Sequence, residues 1–245
     1  MCEVDSVRER GFNDDYLDIK ELEKTHYTYV LCSSLERKVQ YKTLESLGTR
    51  PYQFPMVVNT SLAKVGKTSF QLTSRLFDLT QTELFECCHV YVCVDKISRN
   101  VSPLPDWWLE KYKDLSDSSV ALRVDQMQPP QKTFSHQILV AALDLDYYGH
   151  TNNTSYIKYG TETITAAFKN KRISAILWNE DEVHSKVKKI TSLYLKDCGF
   201  GDMLTGRVWT VKDQIGCVIE NNKGEEIYQQ FYEFEKDQKE PQSKL

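Results

Sequence analysis

The chain has 245 residues, 40% apolar and 27% charged, with a net charge of −4; this is material for one large domain or two ordinary ones, and the mild acidity excludes nucleic acid or an anionic membrane as the main partner. Seven cysteines occur without a Cys-x-x-Cys pair, a pattern of free thiols in a reducing compartment with no metal site. No apolar run reaches membrane-spanning length.

The first fifteen residues lack an apolar core and are not Arg/Ser-rich, so neither secretory nor mitochondrial targeting is expected. Between Ser6 and Lys24 the sequence is polar, with Phe12, Tyr16, Leu17, Ile19 and Leu22 as scattered apolar anchors, which supports no assignment. Leu31, Leu35, Val39 and Leu47 then make one apolar stripe, predicting a helix over 29–47 that Gly48 ends. Segments 53–63, 69–77 and 84–94, rich in Val, Thr, Phe and Tyr, read as strands. Residues 102–131 are bracketed by Pro103, Pro105, Pro129 and Pro130 and read as a linker, with Trp107 and Trp108 fastening it to a neighbouring surface. The second half offers a strand over 135–144, a helix marked by Ile157, Ile164, Ala167 and Phe168, and strands over 187–195, 203–211, 215–220 and 227–234. Asn221-Asn222-Lys223-Gly224 is a hairpin turn. The chain ends in a charged tail whose last residues, Ser243, Lys244 and Leu245, form the tripeptide read by the peroxisomal import receptor. A location in the peroxisomal matrix is therefore expected.

The densest polar chemistry lies between that strand and that helix, in LDLDYYGHTNNTSYIKYGTE at 143–162. Gly149 permits a sharp bend, and Asn152 or Asn153 is placed to cap the helix. Backbone amides from Gly149 to Thr151 are available at the helix start to bind an anion or stabilise an oxyanion. Asp146 near a helix N-terminus is expected to stay ionised. Asp144, one strand step away, is expected on the same face and solvated. His184 reads as surface, and His89 and His136 as strand residues. Lys169, Lys171, Arg172, Lys186, Lys188 and Lys189 are charge runs that read as solvated faces or as contacts for a ligand's phosphates.

The pattern Asp-x-x-Gly-His-x-Asn-Asn-x-x-Tyr, Asp146 to Tyr156, resembles the signature of hotdog-fold thioesterases, among them the 4-hydroxybenzoyl-CoA thioesterase-like and acyl-ACP enzymes. The resemblance implies an α+β double hotdog, two antiparallel sheets each wrapped around a central helix. Its parts are an N-terminal unit at 1–101, the linker, a catalytic unit at 132–236 and a flexible tail at 237–245. Thr60-Ser61-Leu62 before Leu72-Thr73-x-Arg75 recurs as Thr191-Ser192-Leu193 before Leu204-Thr205-x-Arg207, which fits an internal duplication. His26 stands before the first expected helix as His150 stands before the second, but Leu22 and Thr28 replace the partners. The first unit thus reads as a scaffold.

By the same resemblance Asp146 acts as nucleophile or general base, and His150 orients or deprotonates water. Asn152 caps the helix or orients a water, while Gly149, Thr151 and Tyr148 shape the substrate and oxyanion site. Tyr148 stands where the acyl-ACP enzymes have Asn. Asp197, ahead of Cys198 in YLKDC, stands where they have Glu, and reads otherwise as a turn acid at a strand end. The implied function is hydrolysis of acyl-CoA to free acid and CoA, without cofactor, by a monomer or homodimer. A hotdog enoyl-CoA hydratase is one alternative, although its usual Asn-Pro between Asp and His is here Tyr147-Tyr148-Gly149. A non-catalytic acyl-CoA-binding hotdog is the other.

Overall fold

The computed structural model describes residues 16–48, 56–115, 121–146, 149–173, 186–211 and 214–235. Its strands are β1 (His26–Arg37), β2 (Val57–Val65), β3 (Ser69–Phe77), β4 (Glu83–Asp95), β5 (Phe134–Leu139), β6 (Val187–Tyr194), β7 (Met203–Val211), β8 (Gln214–Glu220) and β9 (Glu226–Phe234). The helices are α1 (Ile19–Leu22), α2 (Tyr41–Gly48), α3 (Asp106–Tyr112) and α4 (Asn153–Lys169). No helix among the described residues is long and apolar enough to cross a membrane.

The strands form one antiparallel sheet in the order β2-β3-β4-β1-β6-β9-β8-β7-β5, rather than the two separate sheets expected. The seam is the pairing of Cys32–Glu36 with Lys189–Leu193. Each half would otherwise present β1 or β6 as an open edge of unpaired N–H and C=O groups, and pairing them removes both edges.

β1 corrects the helix expected over 29–47. His26–Arg37 is an interior strand, bonded to β4 on one side and β6 on the other. Tyr27, Tyr29 and Val30 favour a pleated surface, and the apolar spacing that read as a helical stripe is too short to arbitrate between the two periods. A helix begins only at Tyr41.

Strand order relates the halves as β1-β4-β3-β2 to β6-β9-β8-β7. The residue repeat noted in the sequence therefore joins strands that do not correspond: Thr60-Ser61-Leu62 lies on β2, whose counterpart is β7, whereas Thr191-Ser192-Leu193 lies on β6. The N-terminal half also has no counterpart of the long helix α4 among the described residues. Its core is filled instead by Leu17, Ile19 and Leu22 with Trp108 and Tyr112, packed on Leu62, Phe70, Leu72 and Tyr91. Trp108 is fully buried, its ring 5.2 Å from Phe70 and its N–H donating to the Leu17 carbonyl at 2.9 Å. It fastens the linker as expected; Trp107 stays exposed.

Residues directly opposite on antiparallel strands share a face. Phe70 opposes Tyr91, Cys87 opposes Leu35, and the row continues through Ile190, Tyr232 and Ile215. Trp108 packs on this row at Phe70, and α4 meets it at Tyr232, whose hydroxyl lies 3.0 Å from that of Thr161. Both halves thus bury their helices on one side. The linker crosses the other side. There the Leu122 amide donates to Gln71, the Met127 amide to Gln229, and Gln229 back to the Met127 carbonyl.

Candidate active site

β5 stops at Leu139, earlier than the strand expected to 144, and Ala142–Asp144 form a short 3₁₀ turn. Asp144 is consequently not on a strand, and it is buried rather than solvated. Its carboxylate accepts the Ala141 amide at 2.9 Å and the Lys158 ammonium at 2.6 Å. Burial pushes its pKa up, but those bonds outweigh it and hold the carboxyl below the usual carboxylate range. The Asp144 carbonyl accepts the Ser155 hydroxyl and the Asn152 amide. One residue thereby ties the turn to the first turns of α4.

The motif itself is a small closed loop. Leu145 and Thr151 face each other across an antiparallel bridge, with the Asp146 amide on the His150 carbonyl at 2.7 Å. Gly149 takes φ +78°, a backbone conformation that costs a residue with a Cβ. Its amide donates to the Asp146 carbonyl, and the His150 amide donates to Asp146 Oδ1 at 3.0 Å. Two of the three amides read as oxyanion donors are therefore engaged by Asp146. Asn152 is the helix N-cap, its Oδ1 accepting the Thr154 amide at 2.9 Å.

Thr151 is buried and its hydroxyl donates to the Cys198 carbonyl at 2.6 Å. This bond draws the loop after β6 against the motif. The Cys198 amide donates to Asp197 Oδ1, and Asp197 Oδ2 lies 2.8 Å from His150 Nδ1. The sequence left Asp197 between turn acid and site residue; the structure puts it on the imidazole. The His150 and Asp197 side chains are 43% and 55% exposed, so water reaches the pair. Burial pushes the Cys198 thiol up, against opposing bonds from Thr151 and Tyr156. It stays a thiol at neutral pH, unsuited to nucleophilic attack.

Asp146, Gly149, His150, Thr151, Asn152 and Asp197 thus meet in one place. Tyr148, His184 and the tail residues Ser243, Lys244 and Leu245 lie outside the described residues. Sequence reasoning missed Tyr29: from β1, in the other half, its ring stacks on His150 at 6.3 Å between centroids and 26° between planes. The alternation Tyr27, Tyr29, Leu31 was the available signal. His26 opens β1 and bonds Thr25, so it does not precede a helix as His150 does. Lys169, Lys171 and Arg172 sit at the far end of α4, about 24 Å from its start at the usual rise. A cavity of about 480 Å³ lined by Phe134, Arg172, Ile173 and Trp209 is at that far end too.

Residues 127–236 match the model of the acyl-ACP thioesterase C-terminal domain. That segment, and not the whole chain, is assigned to the acyl-ACP thioesterase family. It contributes β5 to β9, α4 and the site, and makes the chain an acyl-ACP thioesterase-like thioester hydrolase. No curated protein matches the sequence. Among solved structures the chain is similar to a 12:0-ACP thioesterase from Umbellularia californica, with 15% identity over 88% of this chain and 78% of that one and a TM-score of 0.65. An acyl-ACP thioesterase from Bacteroides thetaiotaomicron is similar at 14% identity over 87% and 78%, with a TM-score of 0.65. At such identities the likeness carries the double-hotdog fold, and it spans both halves.

Proposed function

We propose that this acyl thioester hydrolase acts on fatty or related acyl-CoA, with His150 as general base and Asp197 as the carboxylate that orients it. The observation that carries the reading is the 2.8 Å contact between Asp197 Oδ2 and His150 Nδ1. A carboxylate on Nδ1 selects the tautomer with its proton there and leaves the Nε2 lone pair for catalysis. His150 Nε2 takes a proton from water as its oxygen adds to the thioester carbonyl carbon. The tetrahedral adduct then expels the thiolate as the C–S bond breaks, and His150 returns the proton to sulfur. Asp146 stands on the same turn with Oδ1 engaged by the His150 amide, so its other oxygen is the competing nucleophile. That the carrier is CoA is the finer part of this proposal, and the substrate panel below decides it.

The test is free-thiol release from a panel of acyl-CoAs by wild type, D197N, H150Q and D146N. D197N and H150Q are expected to lose on the order of 10²–10⁴-fold in kcat, with a smaller loss in D146N. Full turnover in both D197N and H150Q would remove the base assignment. If only D146N is inactive, Asp146 becomes the attacking group. A wild type that releases no thiol would sink the acyl-CoA reading.

A further inference from the structure

β1 brings more than one ring to the site. Tyr27 lies 5.6 Å from Tyr29, the ring stacked on His150. The turn after β4 covers Tyr27 with cations: the Arg99 guanidinium is 4.7 Å and the Lys96 ammonium 4.8 Å from its ring centre. That turn is fixed by its own bonds. Asp95 Oδ1 accepts the amides of Ile97 and Ser98, and the Asp95 carbonyl accepts that of Arg99. Arg99 is held at φ +59°, a conformation that non-glycine residues adopt at a cost and that places its side chain over the shelf. Burial raises the Tyr29 hydroxyl's pKa, and the Arg99 charge nearby opposes that shift.

Several other cations around the sheet are committed to carboxylates. Lys158, Lys196, Arg75 and Arg207 each pair with a carboxylate. Lys96 donates to the Glu23 carbonyl and its charge also acts on the Glu23 carboxylate, but among the described residues neither Lys96 nor Arg99 has a carboxylate at ion-pair distance. Two cations beyond ion-pair distance of any described carboxylate, seated on an aromatic face, lead away from His150 on a chain of net charge −4. The reaction centre itself carries Asp146 and Asp197, which repel an anionic substrate. Acyl thioesters are carried on a flexible pantetheine arm that ends in phosphate, and a guanidinium grips phosphate through paired N–H donors.

We propose that Arg99 and Lys96, on the Tyr27–Tyr29 shelf, hold the phosphate of the thioester's carrier while the thioester lies at His150. This rests on the thioesterase reading and gives the N-terminal half the task of recognising the carrier. Whether the phosphate is that of the pantetheine arm or of the CoA nucleotide is decided by substrate choice.

The experiment compares one acyl group on CoA, on phosphopantetheine and on pantetheine, with wild type, R99Q, K96Q and R99K, each checked for folding by circular dichroism. Wild type is expected to favour phosphate-bearing substrates through KM. In R99Q the kcat/KM ratio of acyl-CoA to acyl-pantetheine is expected to fall about tenfold, chiefly in KM, with a smaller fall in K96Q and partial retention in R99K. An Arg99-dependent preference for acyl-phosphopantetheine as well assigns the arm's phosphate; one confined to acyl-CoA assigns the nucleotide's. A ratio near one in wild type, or unchanged in R99Q, overturns the proposal while hydrolysis of acyl-pantetheine keeps the thioesterase reading intact. Equal loss of kcat on all three substrates in R99Q also overturns it, because Arg99 would then act on His150 through Tyr29. A wild type inert toward all three overturns both readings.

Discussion

Asp144 shows how one buried carboxylate can set the geometry of a turn. Its folded-state pKa lies below the ordinary value, so its contribution to stability is present above about pH 4 and fades as pH falls through the lowered value. D144N is expected to cost about 2 kcal/mol at neutral pH, since Lys158 and the Ala141 amide lose their charged acceptor. In urea melts the gap between wild type and D144N should narrow as pH drops from 5 toward 2; a gap that widens would refute the assignment. The polar residues of the turn were legible in the sequence because Gly149 and Asn152 answer local demands of backbone sign and capping. Asp197 was legible only as one of two readings. Its contact with His150 depends on Thr151 reaching the Cys198 carbonyl across 47 residues, and no local pattern encodes that bond. Asp144 was misread because a strand was extended through a segment that turns.

At the scale of elements, α4 lies unusually close to the sheet. A Cβ on Gly206 would stand 2.0 Å from Thr163 Oγ1 and 3.0 Å from its Cβ, and one on Gly160 would stand 1.9 Å from Gln230 Oε1. The branch of Thr163 is fixed on a buried helix face, so Gly206→Ala must push α4 outward. The expected cost is about 1–3 kcal/mol, with reduced kcat because the helix N-terminus carries His150's turn. Thermal melts together with turnover check this; an unchanged melting temperature would mean that the approach is looser than described. The strands of the second half could be read from alternation and turns, β7 to the residue. β1 could not, since its neighbours β4 and β6 lie far along the chain and interior strand pairing overrode an ambiguous apolar stripe.

Across the whole molecule, one sheet hydrogen-bonded continuously across its seam leaves no boundary along which the halves can melt separately. Urea unfolding followed by far-UV and near-UV circular dichroism is expected to give coincident midpoints. Two separated transitions would show that the seam is weak. The sequence suggested two halves through a family resemblance and through a repeat that joins strands that do not correspond; it gave no sign that β1 and β6 fuse the sheets, because two edges looking for partners leave no mark on either strand. The crossing at Gln71 and Gln229 has a consequence of its own. Five paired residues and a stacked tyrosine would separate on dilution if they joined two free chains. The covalent connection through residues 102–131 instead holds the two surfaces at an effective concentration on the order of millimolar, so the junction of Tyr29 with His150 persists however few copies of the protein are present.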